Sequence, residues 1–228
     1  MRIVVCYKWA PFPHSTAASG NSSDAYSQAK ATFLEYDQAV LELAHQLAND
    51  TGAELVGLNV GSPETASSLV RQVALSHGLD RIVLVTDPGL DLAGVTETGL
   101  LQAEAIDQIG EVDLVLAGAS SIGVAGWEVS AVVGGVLGWQ VLSRVRHVER
   151  DGTSWRVERT LDGAYQSRLL KGPVVLCVVV DAGVPHRSSA PGLAQVGQSP
   201  VEALAADSGV MLPVMVAKAG PVAQATSA

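Results

Sequence analysis

The sequence predicts an α/β protein: a Rossmann-like parallel sheet with helices on both faces, then a C-terminal β-hairpin region and an extended tail. Two observations carry this expectation. As far as Leu137, short runs of branched apolar residues alternate with stretches whose apolar residues recur at the helical period. That alternation implies right-handed βαβ units and a parallel sheet covered on both sides. From about Gln140 the texture changes to alternating segments separated by Asp-Gly turns, the signature of hairpins. The chain has 228 residues, 48% hydrophobic and only 16% charged, enough for one domain with a sizeable core and incompatible with wholesale disorder.

The elements follow in order. Ile3 to Tyr7 reads as a buried strand closed by the Pro11/Pro13 turn region, and residues 14 to 30, rich in Ser, Ala, Gly and Asn, read as a loop. A helix follows, with Ala39, Val40, Leu43, Ala44, Leu47 and Ala48 on one face; Asp37 favours its positive end and Gly52 stops it. Leu55 to Val60 is the second strand, and Pro63 opens a helix running to about His77-Gly78. Arg81 to Val85 is a strand, Thr96 to Ile109 a helix, and Asp113 to Gly118 a strand. Gly126 to Leu137 is expected to be helical although three glycines and β-branched residues oppose it. Val141 to Glu149 and Trp155 to Leu161 form a hairpin across Asp151-Gly152. Asp162-Gly163 then turns into Tyr165 to Leu170, before the buried run Val174 to Val180. Pro185, Pro191 and Pro200 mark a loop. Residues 1–205 are read as one domain, and 206–228 as a tail or partner-wrapping arm.

The net charge of −9 argues against nonspecific binding to nucleic acid or an anionic membrane, which needs a basic footprint. The low charge content suggests that a partner covers some surface; base composition alone is the alternative source of the abundant Ala and Val. Cys6 and Cys177 sit in apolar runs without metal-ligand spacing, and nothing suggests an oxidising compartment. Only five residues separate Arg2 from Lys8, too few for a signal-peptide core, and Val174 to Val180 is far short of the roughly 20 residues a spanning helix needs. A soluble, cytoplasmic protein without direct membrane insertion is expected.

The sequence offers little catalytic machinery. It has no dinucleotide or P-loop glycine fingerprint, no GxSxG and no HExxH. Its five histidines are scattered, and His45 falls on the polar face of its helix. Glu35 and Asp37 read as carboxylates opening a helix, and Cys6 as a small core residue. What remains is a binding geometry: in open α/β sheets, ligands lie at the carboxyl ends of the strands, beside helix N-termini. Three such ends stand out, Cys6 to Pro13, Val60 to Pro63, and Gly118 to Gly126. In the last, Gly118, Ser120, Ser121, Gly123 and Gly126 would let a phosphate approach backbone N–H groups. An ordinary strand-to-helix loop has the same composition.

Four segments, in order, resemble the β subunit of electron transfer flavoproteins over roughly residues 1 to 205. Val4-Val5-Cys6-Tyr7-Lys8-Trp9-Ala10-Pro11 is similar to that family's first strand and its Val-Lys-x-Val-Pro turn. Ala74 to Val83 is similar to its Ala-Leu-Ala-Met-Gly-Ala-Asp-Arg-Ala-Val segment, and Asp113 to Gly118 to the strand before its nucleotide loop. Val157-Glu158-Arg159-Thr160-Leu161-Asp162-Gly163, with Gln166, Pro173 and Val174 to Cys177, resembles the family signature, from which Ala164 and Arg168 depart. The resemblance implies a heterodimeric electron carrier whose FAD is held mainly by an α-type subunit and which serves a dehydrogenase. It also implies an adenine nucleotide on this chain, AMP in most members and a second FAD in electron-bifurcating ones. Carried over by position, the nucleotide contacts are Cys6, Val60, Gly61 and the segment from Gly118 through Ser120, Gly123, Val124, Ala125, Gly126, Trp127 and Glu128 to Val129.

The departures cluster at these sites. Where the family has a Gln-Thr pair at the helix start, Glu128 and Val129 stand here; Val129 offers no side-chain hydrogen bond and Glu128 sets negative charge beside a phosphate. Phe33-Leu34 replaces an Asn-Pro pair. In the loop Pro185 to Leu193, where typical members dock dehydrogenases, Ser189, Ala190 and Pro191 are the expected contacts. Alanine in place of a large apolar anchor forfeits on the order of 2 kcal/mol of burial. A dedicated dehydrogenase partner is therefore expected. The alternatives are a nucleotide-binding or structural module on the same fold with its redox role lost, and an adenine-nucleotide hydrolase or transferase, which lacks the glycine motif and metal cluster it would need.

Overall fold

The computed structural model describes residues 1–9, 33, 35–87, 90, 93–119, 126–179, 201–205 and 213–218. The predicted alternation is present. Strand β1 (Arg2–Cys6) leads to helix α1 (Glu35–Thr51), and β2 (Glu54–Gly61) to a 3-10 turn (Pro63–Ala66) and α2 (Ser68–Leu75). Then come β3 (Arg81–Thr86), α3 (Val95–Ile109), β4 (Leu114–Gly118) and α4 (Gly126–Leu137). The remaining strands are β5 (Gln140–Asp151), β6 (Ser154–Leu161), β7 (Ala164–Lys171), β8 (Val174–Val178), β9 (Val201–Ala205) and β10 (Pro213–Lys218). The strands form one sheet in the order β7-β6-β5-β8-β4-β1-β2-β3-β10-β9. Its centre, from β3 through β5, is parallel; β5-β6-β7 is an antiparallel meander, and β10 and β9 add antiparallel strands at the other edge.

Helices cover both faces, as expected. On β1, Ile3, Val5 and Tyr7 point into the cluster that holds Leu43, Ala44 and Leu47 of α1 and Ala74 and Leu75 of α2. Val4 and Cys6 point the other way, into the cluster with Ala103 and Ile106 of α3 and Val129 and Val133 of α4. This two-sided burial explains why the central strands are apolar without alternation.

The structure departs from the sequence reading in four places. The helix expected from Pro63 onward is two elements, because Ser67 caps a new start, its hydroxyl accepting from the Val70 amide. The strand after Val174 ends at Val178 rather than Val180. His45 is not simply solvated: a Cβ on Gly78 would lie 2.1 Å from its Nδ1, so the ring packs on that left-handed turn, where Gly78 has φ 86°. Pro213–Lys218, within the stretch read as a tail, pairs antiparallel with β3 of the same chain. The Pro185–Pro200 loop lies outside the described residues.

The end of the sheet remote from the strand tips is tied by charge. Glu54 accepts from Arg2 Nε and from Arg81 Nε, each at 2.6 Å, bridging the first residues of β1, β2 and β3. Arg2 also donates to the carbonyls of Ile109 and Gly110, which ends α3 on the same stitch. Partial burial raises the Glu54 pKa, but hydrogen bonds from Arg2 and Arg81 outweigh it and the net shift is downward. A depressed carboxylate stabilises the fold above its unfolded pKa and loses that contribution as pH falls through its folded pKa. Glu54→Gln should therefore cost about 1 kcal/mol near neutral pH, a modest figure because the pair is a third exposed, and the gap should close in acid. Urea unfolding of both proteins between pH 3 and 7 measures it.

Candidate functional site

β1 connects to β2 through α1 on one face, whereas β3 returns to β4 through α3 on the other. The connections therefore diverge between β1 and β4, leaving a crevice above those strand tips, the position where open α/β sheets bind ligands. The tips are level: Cys6 lies opposite Leu58 of β2 and Ala117 of β4.

A small recess occupies this point. Its floor is made by Cys6, Tyr7 and Lys8 at the end of β1, Val60 of β2, and Ala117 and Gly118 of β4. Asp37 closes one side from α1, Thr98 and Gln102 another from α3, and Gly126 and Val129 a third from α4. A larger cleft of about 700 Å³ lies beside it, lined by the next residues along, Ala119 and Trp127, with Tyr36, Ser143, Arg144, Cys177 and Val179. Arg144 sits where β5 shifts register against β8, with φ 60°, a left-handed residue at a bulge that re-aims the side chain. Trp127 is 53% exposed at the cleft.

Of the residues singled out in the sequence, Cys6, Val60, Gly118, Gly126 and Val129 meet at the recess, and Trp127 lines the cleft. Gly61 ends β2 and faces Thr65, whose Cγ2 would lie 2.8 Å from an added Cβ. Glu128 is half-buried in the first turn of α4. Ser120, Gly123, Val124 and Ala125, and the docking residues Ser189, Ala190 and Pro191, lie outside the described residues. The glycines have a tighter reason than loop freedom. A Cβ on Gly126 would lie 2.0 Å from the Gly118 carbonyl oxygen, and one on Gly118 would meet Tyr36 at 3.1 Å. α4 and α1 both start on the last residue of β4.

The sequence reading missed Gln102 and the true place of Asp37. Gln102 is a buried polar residue next to Ala103 on the core-facing side of α3, and that break in an apolar stripe was the available signal. Asp37 looked like a helix-opening carboxylate. It is only 3% exposed; Oδ1 accepts from the Lys8 amide at 3.3 Å, and Oδ2 is buried with no hydrogen-bond partner among the described residues. Burial pushes its pKa up to about 7, against the Lys8 amide and charge, which pull it down. The buried Tyr7 hydroxyl is also pushed up, first by burial and then by Asp37. Burial raises the Cys6 thiol to about 12, so it is protonated and no nucleophile. Cys177 rises to about 11, burial outweighing Ser130 and the Arg144 amide.

Among the described residues no set of three or more His, Cys, Asp or Glu gathers as for a metal ion, and no helix is long and apolar enough to cross a membrane. Residues 25–208 match the family model of the electron transfer flavoprotein domain, most of the chain, from before α1 through the meander, with β1 outside the match. The chain belongs to the electron transfer flavoprotein family, whose members are flavin-linked electron carriers.

Two predictions follow from the packing and charge of the site. Because Asp37 has its pKa raised in the fold, the native state holds a proton the unfolded chain has lost, and stability falls as pH rises from about 4 to about 7. Asp37→Asn should gain on the wild type by on the order of 2–3 kcal/mol between pH 5 and 8, read by denaturant unfolding at each pH. Gly126→Ala should lower stability by about 1–3 kcal/mol, since backbone rather than a flexible side chain must yield; a thermal melt checks it.

Proposed function

We propose that this chain is the β-type subunit of a heterodimeric electron transfer flavoprotein. In this reading it passes electrons from a dedicated dehydrogenase to a downstream acceptor through FAD held mainly by an α-type partner. The recess and cleft hold the adenine nucleotide. The observation that supports it is convergence: five positions that the resemblance assigns to nucleotide, from separate chain segments, come together at the topological switch of the sheet.

The residues present fit such a group. The first amides of α4 have no partners within their own helix, and an anion would be favoured at the helix's positive end. Gly118 and Gly126 keep the floor low, Cys6, Val60 and Val129 provide apolar walls, and Tyr36 and Trp127 offer aromatic surface in the cleft. FAD, when bound, supplies the electron storage; this chain orients the nucleotide and keeps its own thiol protonated and inert. The unpartnered Asp37 oxygen is the kind of group a ligand satisfies.

One observation favours the second reading, a nucleotide-binding or structural module without redox role. The turn that meets the phosphate carries the Glu128 carboxyl and the apolar, buried Val129. Co-expression with the α-type chain, denaturation and mass spectrometry of the released nucleotides separates the readings. FAD in the complex, with AMP or a second FAD on this chain, is expected. Adenine nucleotide without reducible flavin supports the nucleotide-binding module, and a complex that releases no nucleotide overturns the carrier reading in favour of a structural module.

A further inference from the structure

We propose that Asp37 is a specificity-determining residue of the recess: its free carboxylate oxygen accepts a hydrogen bond from a neutral N–H or O–H of the bound nucleoside. The inference rests on the nucleotide reading above and adds to it which chemical group enters the recess. Three observations carry it. The recess is roofed by the N-terminus of α4, a full helix of 12 residues, and on its side Asp37 is nearly fully buried with Oδ2 unpartnered among the described residues. The recess is small while the adjoining cleft is large, so one donor-bearing corner of a ligand enters and the bulk lies beside Trp127 and Tyr36. Finally, Gln102 and Thr98 line the opposite wall, so the recess is polar on two sides and apolar below.

A buried carboxylate with one empty oxygen is costly, and a ligand donor removes that cost, whereas a ligand without the donor leaves it in place. This is the arrangement that gives strong discrimination, because the wrong ligand strands a polar group. Two parts of an adenine nucleotide supply the chemistry, the ribose hydroxyls and the exocyclic amine.

The inference also fixes the sign of a pH dependence. The groups around Asp37 among the described residues are Lys8 and Tyr7 beyond β1, Cys6 across the recess and Glu35 in its own helix; α4, which lines the recess with Gly126 and Val129, carries Glu128 in its first turn. Arg144 and Cys177, from β5 and β8, lie in the adjoining cleft beside Tyr36. Burial holds the carboxyl half-protonated near pH 7, and Lys8 favours its ionised form. A ligand donor selects the carboxylate, so affinity rises with pH through that range. An anion in the same place would select the protonated acid and give the opposite slope.

The test is calorimetric titration of the full chain with AMP at pH 6, 7 and 8, for wild type and Asp37→Asn, and of wild type with 2′-deoxy-AMP, 3′-deoxy-AMP and N6,N6-dimethyl-AMP. AMP's own phosphate ionisation is common to both proteins and is removed by their difference. Wild type should tighten by roughly tenfold from pH 6 to pH 8 relative to the variant. One analogue should lose that step, naming the hydroxyl or the amine as the donor. Equal slopes in the two proteins, or the step retained by all three analogues, overturn the inference and leave the nucleotide reading standing. Tighter binding at low pH overturns it in favour of an anion at Asp37. No AMP binding by wild type overturns both. If Asp37→Asn does not fold, the wild-type slope with AMP against the three analogues decides alone.

Discussion

The structure depends on one constraint, the parallel pairing of β1 with β2 on one side and β4 on the other. Because Cys6 stands opposite Leu58 and Ala117, and Ala117 opposite Cys177, four strand tips end level. Right-handed crossovers then force α1 and α3 onto opposite faces, so the connections diverge between β1 and β4. The other end of the sheet is closed by Glu54 between Arg2 and Arg81, and by Arg2 on the end of α3. The molecule thus has a stitched end and an open one, and the recess and cleft lie at the open one.

Close approach of backbone to backbone keeps that opening shallow. α4 begins against the Gly118 carbonyl through Gly126, packs Gly134 against Val141, and meets α3 where an added Cβ on Gly99 would lie 2.6 Å from Val132. The glycines that lower the helical propensity of this segment are therefore the residues that let the helix sit on the sheet, and packing outweighs propensity. Gly135 has open space around it, and nothing in the structure explains it.

The recess carries a cost the rest of the core avoids. A carboxyl held away from water with one empty oxygen destabilises the free protein at neutral pH, and proteins retain such groups where binding needs them. Lys8 contributes both an amide donor and charge to the same carboxyl, which links the end of β1 to the start of α1. The energetics of the recess and of the fold meet in this pair.

The order of elements, the two-sided burial of the central strands and the hairpin turns at Asp151-Gly152 and Asp162-Gly163 were legible in the sequence, because each depends on local periodicity and turn chemistry. So were Cys6, Val60, Gly118, Gly126 and Val129, each at a strand end or helix start. What pairs with what was not legible. That β8 inserts between β4 and β5, and that Pro213–Lys218 returns to β3, depends on contacts between residues far apart in the chain. Asp37 shows the limit most plainly. By sequence it is a carboxylate in the first turn of a helix; only the tertiary structure, by laying that turn over the end of β1, takes it out of water and leaves one oxygen without a hydrogen-bond partner among the described residues.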